Sequence, residues 1–309
     1  MKKNLIRVKL IMTDKKCSKL LLYIAAVVIP AVVMLAVFAV RGIFPFGDTT
    51  LMTGDLQYQF IDYFSYLRSI LFGNNDFSYT LSNTLGGNMA GMTAYYLASP
   101  FAFFMALFDR TWMPAAYSAV VVMACSISSL TMCILLSKLY GHRYDILIFS
   151  SGYGLMAYII VYYQLHMLLV NVAMLPVIVL GIHRLIEDPE KKCLYILALA
   201  YAIINNYYTG YMLCIFSVLY FAYRLMIEIQ SVKEIRKYGK TISAFVFSSV
   251  IAGGMSMFIL LPALFSLRGE KNILSVGFFR TCRFSELFSR LYTASFNGPS
   301  AARPPNTDR

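Results

Sequence analysis

Long apolar blocks separated by short polar segments make up most of the chain. A helix that crosses a bilayer needs about 20 mostly apolar residues, because each residue advances the helix axis by ~1.5 Å. The pattern predicts an all-α polytopic membrane protein with about seven transmembrane helices. The predicted spans are 20–40, 112–137, 145–163, 165–185, 193–205, 210–227 and 241–267.

Two weaker helical patterns lie between the first two predicted spans, in the segment 41–111. In 56–72, apolar side chains recur at helical spacing and polar side chains occupy the opposite face. This is typical of an amphipathic helix that lies in the plane of the membrane surface. The stretch 94–108 is apolar but short, and it contains Pro100. We therefore predict two interfacial helices in this segment.

The distribution of basic residues predicts the orientation. The N-terminal tail is rich in lysine and arginine, and such tails remain in the cytoplasm. If 94–108 does not cross, the basic loops at 138–143, 184–192 and 224–240 also face the cytoplasm, and 41–111 faces outward. If it crossed, the basic loop 138–143 would be external, which the same rule disfavours. We therefore place 94–108 on the membrane surface.

Composition excludes a soluble enzyme. The chain has 309 residues, is 59% hydrophobic and 14% charged, and has a mean hydropathy of +0.65. Soluble domains are roughly half apolar and a quarter charged. The net charge is +12, but the cations lie between apolar blocks, where they orient helices and contact anionic lipid, so no nucleic-acid partner is expected. The scattered cysteines and histidines show no metal-ligand spacing, and no metal site is predicted.

These patterns divide the chain into three parts. Residues 1–19 are predicted to form a basic cytoplasmic tail. Residues 20–267 are predicted to form the transmembrane bundle, which includes the external loop 41–111. Residues 268–309 are basic and end in a stretch rich in proline and small residues, so we expect a disordered tail or the end of a fragment or truncated gene.

The external loop concentrates carboxylates and holds most of the candidate chemistry. Asp55 follows Gly54 at the start of the amphipathic helix. Its carboxylate is expected to cap the helix, to act as a general base or metal ligand at the membrane edge, or to do both. Because a helix turns about 100° per residue, Asp62 should lie near the same face. Asp62 is therefore either a second catalytic candidate or a hydrated position on the helix.

A polar break follows the fifth predicted span, in the run NNYYTG at 205–210. Asparagine and glycine favour turns, which indicates a tight external turn. The alternative interpretation is the polar rim of a cavity, because polar backbone at membrane depth is tolerated where it lines a cavity.

The order of motifs along the chain resembles that of a known family. The motifs are GDLQYQF at 54–60, LRSILFG at 67–73, LGGN at 85–88, YYLASPF at 95–101, NNYY at 205–208 and LPA at 261–263. Over roughly residues 15–270 this order is similar to the YfhO family of bacterial membrane proteins. The resemblance implies a GT-C-like helix bundle in the bacterial plasma membrane, linked to glycosylation of lipoteichoic acid or a similar envelope polymer.

The resemblance also implies a mechanism. A sugar passes from a polyprenyl-phosphate-linked donor to an envelope-polymer acceptor outside the cell, with Asp55 as the catalytic carboxylate and Asp62 beside it. A divalent cation is left open as a cofactor. The implied substrate-binding residues are Gln57, Tyr58, Arg68, Tyr95, Tyr96, Asn205, Tyr207 and Tyr208. Simpler roles compete for some of these residues, because an arginine anchors at lipid headgroups and tyrosines form aromatic belts at membrane interfaces.

Two other functions remain open at this point. A flippase or transporter of a lipid-linked envelope precursor would have interrupted spans and polar groups at membrane depth. Ionisable residues are scarce inside the predicted spans, which disfavours an ion-coupled transporter but not a passive flippase. The third hypothesis is an inactive, truncated paralogue.

Overall fold

The computed structural model describes residues 18–73, 75, 79–80, 87–228 and 238–265. The predicted tails 1–19 and 268–309 fall outside this range, apart from residues 18 and 19. Two short strands, β1 (Tyr79–Thr80) and β2 (Gly87–Asn88), pair antiparallel within the segment 41–111. The long helices are α1 (Lys19–Arg41), α5 (Met113–Tyr140), α8 (His166–Glu187), α9 (Cys193–Asn205), α10 (Tyr207–Glu228) and α11 (Gly239–Met255). The short helices are π1 (Leu56–Phe60), α2 (Ile61–Leu71), α3 (Met89–Met92), π2 (Thr93–Leu97), α4 (Pro100–Ala106), α6 (Ile146–Gly154), α7 (Ala157–Val161) and α12 (Met257–Phe265).

The prediction of an all-α polytopic membrane protein is confirmed. In the described part of the chain, α1, α5, α8 and α10 are long and apolar enough to cross a membrane. Helices α11 and α12 add a fifth span if they are counted together, although they are bent by 62° at the break between them.

Two of the seven predicted spans are shorter or divided in the structure. Helix α9 has 13 residues, which is about 20 Å of helix against about 30 Å of hydrocarbon. The predicted span 145–163 is divided, because α6 ends at Gly154 and α7 begins at Ala157. Both segments are apolar helices, as predicted, but neither is long enough to cross alone.

The segment 41–111 folds back onto the bundle as short helices. Helix α2 buries Ile61, Phe64 and Leu67 and exposes Asp62, as its amphipathic pattern predicts. The stretch 94–108 is not one helix, because π2 ends before Ser99 and α4 begins at Pro100, with the Ser99 hydroxyl accepting a bond from the Phe101 N–H. Helix α4 has seven residues, about 10 Å, which is too short to cross a bilayer. Its predicted place on the membrane surface remains a prediction.

The main core forms where the short helices of segment 41–111 pack against α5 and α8. Its fully buried large side chains include Phe60, Phe64, Leu97 and Tyr117. A second core joins α8, α9, α10 and α11. Helices α1 and α10 lie at the periphery and expose much of their apolar surface, as expected for helices that face lipid.

Helices α5 and α6 approach so closely that only glycine fits at one position. A Cβ added at Gly154 would lie 2.5 Å from the carbonyl oxygen of Cys125 and 2.8 Å from the Cβ of Ser129. Small residues at helix crossings in membrane proteins allow this kind of approach. The contact fixes the start of the turn that leads to α7 and α8.

Candidate functional site

Hydrogen bonds fix the short loop that precedes π1 against the loop between α7 and α8. The Thr53 hydroxyl lies 2.8 Å from the Tyr163 hydroxyl and accepts a bond of 2.8 Å from Gln164 Nε2. The backbone of the second loop is held in turn by the buried Tyr117, whose hydroxyl is 2.7 Å from the carbonyl oxygen of Tyr163 and 3.0 Å from that of Gln164. The loop that carries the candidate carboxylate is therefore positioned by α5 and α8.

Gly54 makes the approach of the two loops feasible. Its φ angle is +55°, and an added Cβ would lie 3.1 Å from the Gln164 side-chain oxygen. A left-handed backbone conformation suits glycine because it has no Cβ to clash with its own carbonyl. Asp55 follows directly.

The Asp55 carboxylate is exposed at the start of π1. It makes no capping hydrogen bond, and the backbone N–H groups of Gln57 and Tyr58 bond instead to the carbonyl oxygen of Gly54. Within the described residues it has no ion pair. Capping therefore does not occupy this carboxylate, and it is available to a ligand.

One turn further along, the segment 41–111 forms a cavity of about 260 Å³, which we call the tyrosine cavity. Its lining combines aromatic rings with amide, hydroxyl and carboxylate groups, and Gln59 Nε2 donates a bond of 2.7 Å to the Tyr63 hydroxyl. The lining residues are Tyr58, Gln59, Asp62, Tyr63, Tyr66, Thr80, Met89 and Met92. Small sites of this composition bind ligands that present both flat apolar faces and hydroxyl groups.

The structure does not bring Asp55 and Asp62 to one cavity. Asp62 lines the tyrosine cavity and pairs at 2.8 Å with Arg110, whereas Asp55 is not among the lining residues. The expected shared face assumed α-helical rotation, but residues 56–60 form a π-helix, whose wider turn changes the rotation between the two aspartates. Single π turns inside helices are frequent at functional sites.

Arg68, one of the implied substrate-binding residues, is engaged by other groups of the protein. Its guanidinium pairs with Asp109 at 2.6 Å and donates a bond of 3.0 Å to the carbonyl oxygen of Leu107, just after α4. The same group lies 4.7 Å from the centre of the Phe72 ring. These contacts tie α2 to the C-terminal end of α4, so a phosphate would have to displace them.

Tyr95 and Tyr96 belong to a cluster of aromatic rings around π2. Their rings meet edge to face at 4.6 Å, Tyr96 lies 5.2 Å from Tyr63, and Tyr95 lies 5.5 Å from Tyr207. Burial raises the pKa of the Tyr96 phenol, so that group stays a neutral hydrogen-bond donor. The predicted tyrosines thus connect the tyrosine cavity to the start of α10.

The carbonyl oxygens of π2 are bonded by two fully buried side chains. His166, the first residue of α8, lies with Nε2 2.9 Å from the Tyr96 oxygen, and its ring meets that of Phe64 edge to face at 4.9 Å. Asn206 Nδ2 donates a bond of 2.9 Å to the Tyr95 oxygen. Both contacts satisfy backbone groups that a π turn leaves without a partner in the helix.

The polar break at 205–210 is a buried network and not an exposed turn. Asn206 alone separates α9 from α10, and its side-chain oxygen accepts a bond of 2.9 Å from the Thr209 N–H, which caps α10. Asn205 donates bonds to the carbonyl oxygen of Met167 and to Asn171, while Asn205 Oδ1 is buried without a hydrogen bond. The network joins α8, α9, α10 and π2 beneath the aromatic cluster.

The remaining predicted residues lie at the surface. Gln57 is exposed on π1, and 78% of Tyr58 is exposed at the mouth of the tyrosine cavity. Tyr208 is half exposed on the first turn of α10, and Tyr207 packs against Tyr95. Of the predicted set, Tyr58 and Asp62 share the cavity and the other residues surround it.

A divalent cation is not supported by the arrangement of carboxylates. In the part of the chain that the structure describes, no three histidine, cysteine or acidic side chains come together. Asp62 and Asp109 are each paired with an arginine, and Asp76 lies outside the described residues.

Sequence reasoning missed the residues that hold the site in place. Thr53, Tyr117, Gln164 and His166 act through contacts between residues about 50 to 110 positions apart along the chain, and a pattern along the chain cannot show such pairs. Asn171 could have been noticed, because an asparagine in the middle of an apolar span usually bonds to another helix.

A comparison with protein families gives one match. The family model described as "Bacterial membrane protein YfhO" matches residues 25–307. The match continues past residue 270, where the resemblance in motif order ends. Neither curated proteins nor solved structures gave a match.

Proposed function

The chain belongs to the YfhO family of bacterial membrane proteins, and from that premise we propose that it is a membrane glycosyltransferase with a GT-C-like bundle. It transfers a sugar from a polyprenyl-phosphate-linked donor to an envelope polymer such as teichoic or lipoteichoic acid. We place the reaction on the outer side of the membrane, at the end of the bundle where α1 ends and α8 begins. The observation that carries the proposal is the exposed, unpaired carboxylate of Asp55 on a firmly bonded loop.

In the proposed reaction, Asp55 acts as the general base. An acceptor hydroxyl gives its proton to the Asp55 carboxylate while its oxygen attacks the anomeric carbon of the donor sugar. A new glycosidic bond forms, the bond from the anomeric carbon to the phosphate oxygen breaks, and the polyprenyl phosphate leaves with the electron pair. The bonded loop matters because proton transfer needs the carboxylate at hydrogen-bond distance from the hydroxyl.

The tyrosine cavity supports a sugar as the ligand. At about 260 Å³ it is smaller than the roughly 300–1,000 Å³ of sites for drug-sized molecules, so it suits one sugar residue. Gln59, Asp62 and the tyrosine hydroxyls offer hydrogen bonds to sugar hydroxyls, while the rings offer flat apolar contact.

The leaving phosphate requires a cation, and Arg110 is better placed for this than Arg68. Arg110 is 67% exposed and contacts Asp62 at the tyrosine cavity, whereas Arg68 is held by Asp109 and by carbonyl oxygens. For the lipid part of the donor, an apolar cavity of about 440 Å³ lies along α9, between Met174 on α8 and Met255 on α11.

The test compares Asp55→Asn with Asp48→Asn in proteoliposomes. Both changes remove one negative charge from an exposed aspartate of the same loop. The vesicles contain a labelled polyprenyl-phosphate hexose, and a glycerol-phosphate oligomer serves as the acceptor. We expect Asp55→Asn to lower sugar transfer by about 10²–10⁴-fold, the usual contribution of a general base, and Asp48→Asn to leave it unchanged. An undiminished rate in Asp55→Asn would remove Asp55 from the mechanism.

One observation favours transport of the lipid-linked precursor as the second candidate function. Helices α11 and α12 form a span that is bent by 62°, and interrupted helices are typical of transporters. The same proteoliposomes distinguish the two functions, because a transporter moves the labelled lipid across the bilayer without forming a glycosidic bond.

A further inference from the structure

A second polar cavity lies at the opposite end of α1, α5 and α8 from Asp55. It has a volume of about 270 Å³ and forms where the N-terminus of α1 meets the C-termini of α5 and α8. We call it the basic cavity. Its lining residues are Lys19, Tyr23, Ile134, Ser137, Lys138, His142, Leu180 and Arg184.

The charges of the basic cavity are not balanced by the described protein. Lys19, Lys138 and Arg184 all line it, and none of them has a carboxylate within ion-pair distance among the described residues. The nearby Arg143 and Asp145 pair with each other. Three cations around one small cavity repel each other unless an anion lies between them.

The geometry adds a further reason to expect an anion. The Nε2 atom of His142 is shielded from solvent and makes no hydrogen bond, so the cavity wall holds an unused polar atom. A phosphate group fits these features, because guanidinium and ammonium groups bind its oxygens with charge-assisted hydrogen bonds.

The rest of the lining indicates where the phosphate comes from. Ile134 and Leu180 give the basic cavity an apolar wall, and the neighbouring Leu20, Leu21 and Ile24 expose apolar side chains on α1. A phospholipid carries its phosphate next to its acyl chains, so the phosphate can contact the cations of the cavity while the chains contact the apolar side chains. Basic cavities between membrane helices bind anionic headgroups in this way. The geometry points to a binding site for the phosphate of an anionic phospholipid, independent of sugar transfer.

A simpler role for these cations is to orient the helices. Lysine and arginine at helix C-termini interact favourably with the helix dipole and hold the cytoplasmic end in place. That role requires cations at this end of the bundle, but it does not require them to surround a single cavity. A matched pair of double variants separates the two explanations.

The test uses the full chain, purified in detergent and stripped of lipid. Lys138→Gln/Arg184→Gln removes two charges from the basic cavity, and Lys191→Gln/Lys240→Gln removes two exposed charges outside it. Binding of phosphatidylglycerol is measured by native mass spectrometry, with phosphatidylcholine as the neutral lipid. Because each cation changes affinity for anionic lipid by about fivefold, we expect the first variant to bind phosphatidylglycerol about 25-fold more weakly.

The control double variant should bind phosphatidylglycerol as the unchanged protein does. If both double variants bind it equally well, the proposed site is wrong. The single variant Lys138→Gln, at an exposed position, keeps the test valid if the double variant does not fold, with about a fivefold loss expected. In a second arm, inorganic phosphate is added to the stripped protein. Suppose that phosphate protects the unchanged protein from thermal unfolding but does not protect Lys138→Gln/Arg184→Gln, while both bind phosphatidylglycerol equally. The cavity would then be assigned to soluble phosphate, and the proposed lipid site would be wrong.

Discussion

Asn206 joins three elements through one buried side chain, so its replacement tests the network beneath the candidate site. The side chain is completely buried. Its oxygen caps α10 through the Thr209 N–H, and its nitrogen bonds to the Tyr95 carbonyl oxygen at 2.9 Å. Asn206→Ala removes both contacts, whereas Asn206→Ser retains a capping oxygen and loses only the reach to Tyr95.

The expected loss of stability follows from these two contacts. Loss of an N-cap costs about 1 kcal/mol. A buried carbonyl left without a donor costs about 1–3 kcal/mol in water-soluble proteins, and hydrogen bonds between membrane helices are worth about 0.6 kcal/mol on average. Together they give about 1.5–4 kcal/mol for Asn206→Ala. Serine is as good a cap as asparagine, so Asn206→Ser should recover about 1 kcal/mol of this loss.

The free energy of unfolding can be measured in mixed micelles by titration with dodecyl sulfate, followed by far-ultraviolet circular dichroism. Tyr208→Phe is the control, because that side chain is half exposed on the same turn. An Asn206→Ala protein within about 0.5 kcal/mol of the unchanged chain would refute the proposed network. Equal losses of stability in Asn206→Ala and Asn206→Ser would refute the contribution of the helix cap.

Two further pairs of variants test other contacts by the same unfolding measurement. Gly154→Ala should lower the free energy of unfolding by about 1–3 kcal/mol, because its Cβ would overlap the Cys125 carbonyl oxygen. Gly152→Ala, on the same helix with open space around it, should change that free energy little. Equal effects of the two variants would contradict the close packing of α5 and α6. Arg68→Gln should cost about 1–2 kcal/mol through the carbonyl contacts of a guanidinium that is 29% exposed. Arg110→Gln, at 67% exposure, should cost under about 0.5 kcal/mol, and the reverse order would contradict the assignment of the two arginines.

The positions of the long helices could be predicted from the sequence, because each apolar segment partitions into lipid largely independently of the others. A run of 20 or so apolar residues must form a helix to satisfy its own backbone in hydrocarbon, so α1, α5, α8 and α10 follow directly from composition. The buried face of α2 was also predictable, because it depends only on spacing within the helix. Asp55 was selected as the candidate carboxylate because of the order of motifs along the chain and because it lies where the amphipathic helix begins.

Helix breaks and long-range pairs were decided by tertiary structure. The predicted span 145–163 breaks after Gly154, where α6 packs against α5, and nothing in its hydropathy shows that contact. The separation of Asp55 from Asp62 depends on the wider turn of π1. The carbonyl oxygens of Tyr95 and Tyr96 in π2 are bonded by residues far along the chain.

Hydropathy and charge therefore determined the class of this protein and the segment that holds the candidate site, because transfer into a membrane is a property of local sequence. Tertiary structure alone decided which carboxylate is free, which arginine is occupied, and that the Asn205–Asn206 break is buried. Those outcomes depend on hydrogen bonds between residues as many as 111 positions apart, such as that from Asn206 to Tyr95. Such bonds exist only once the helices have packed.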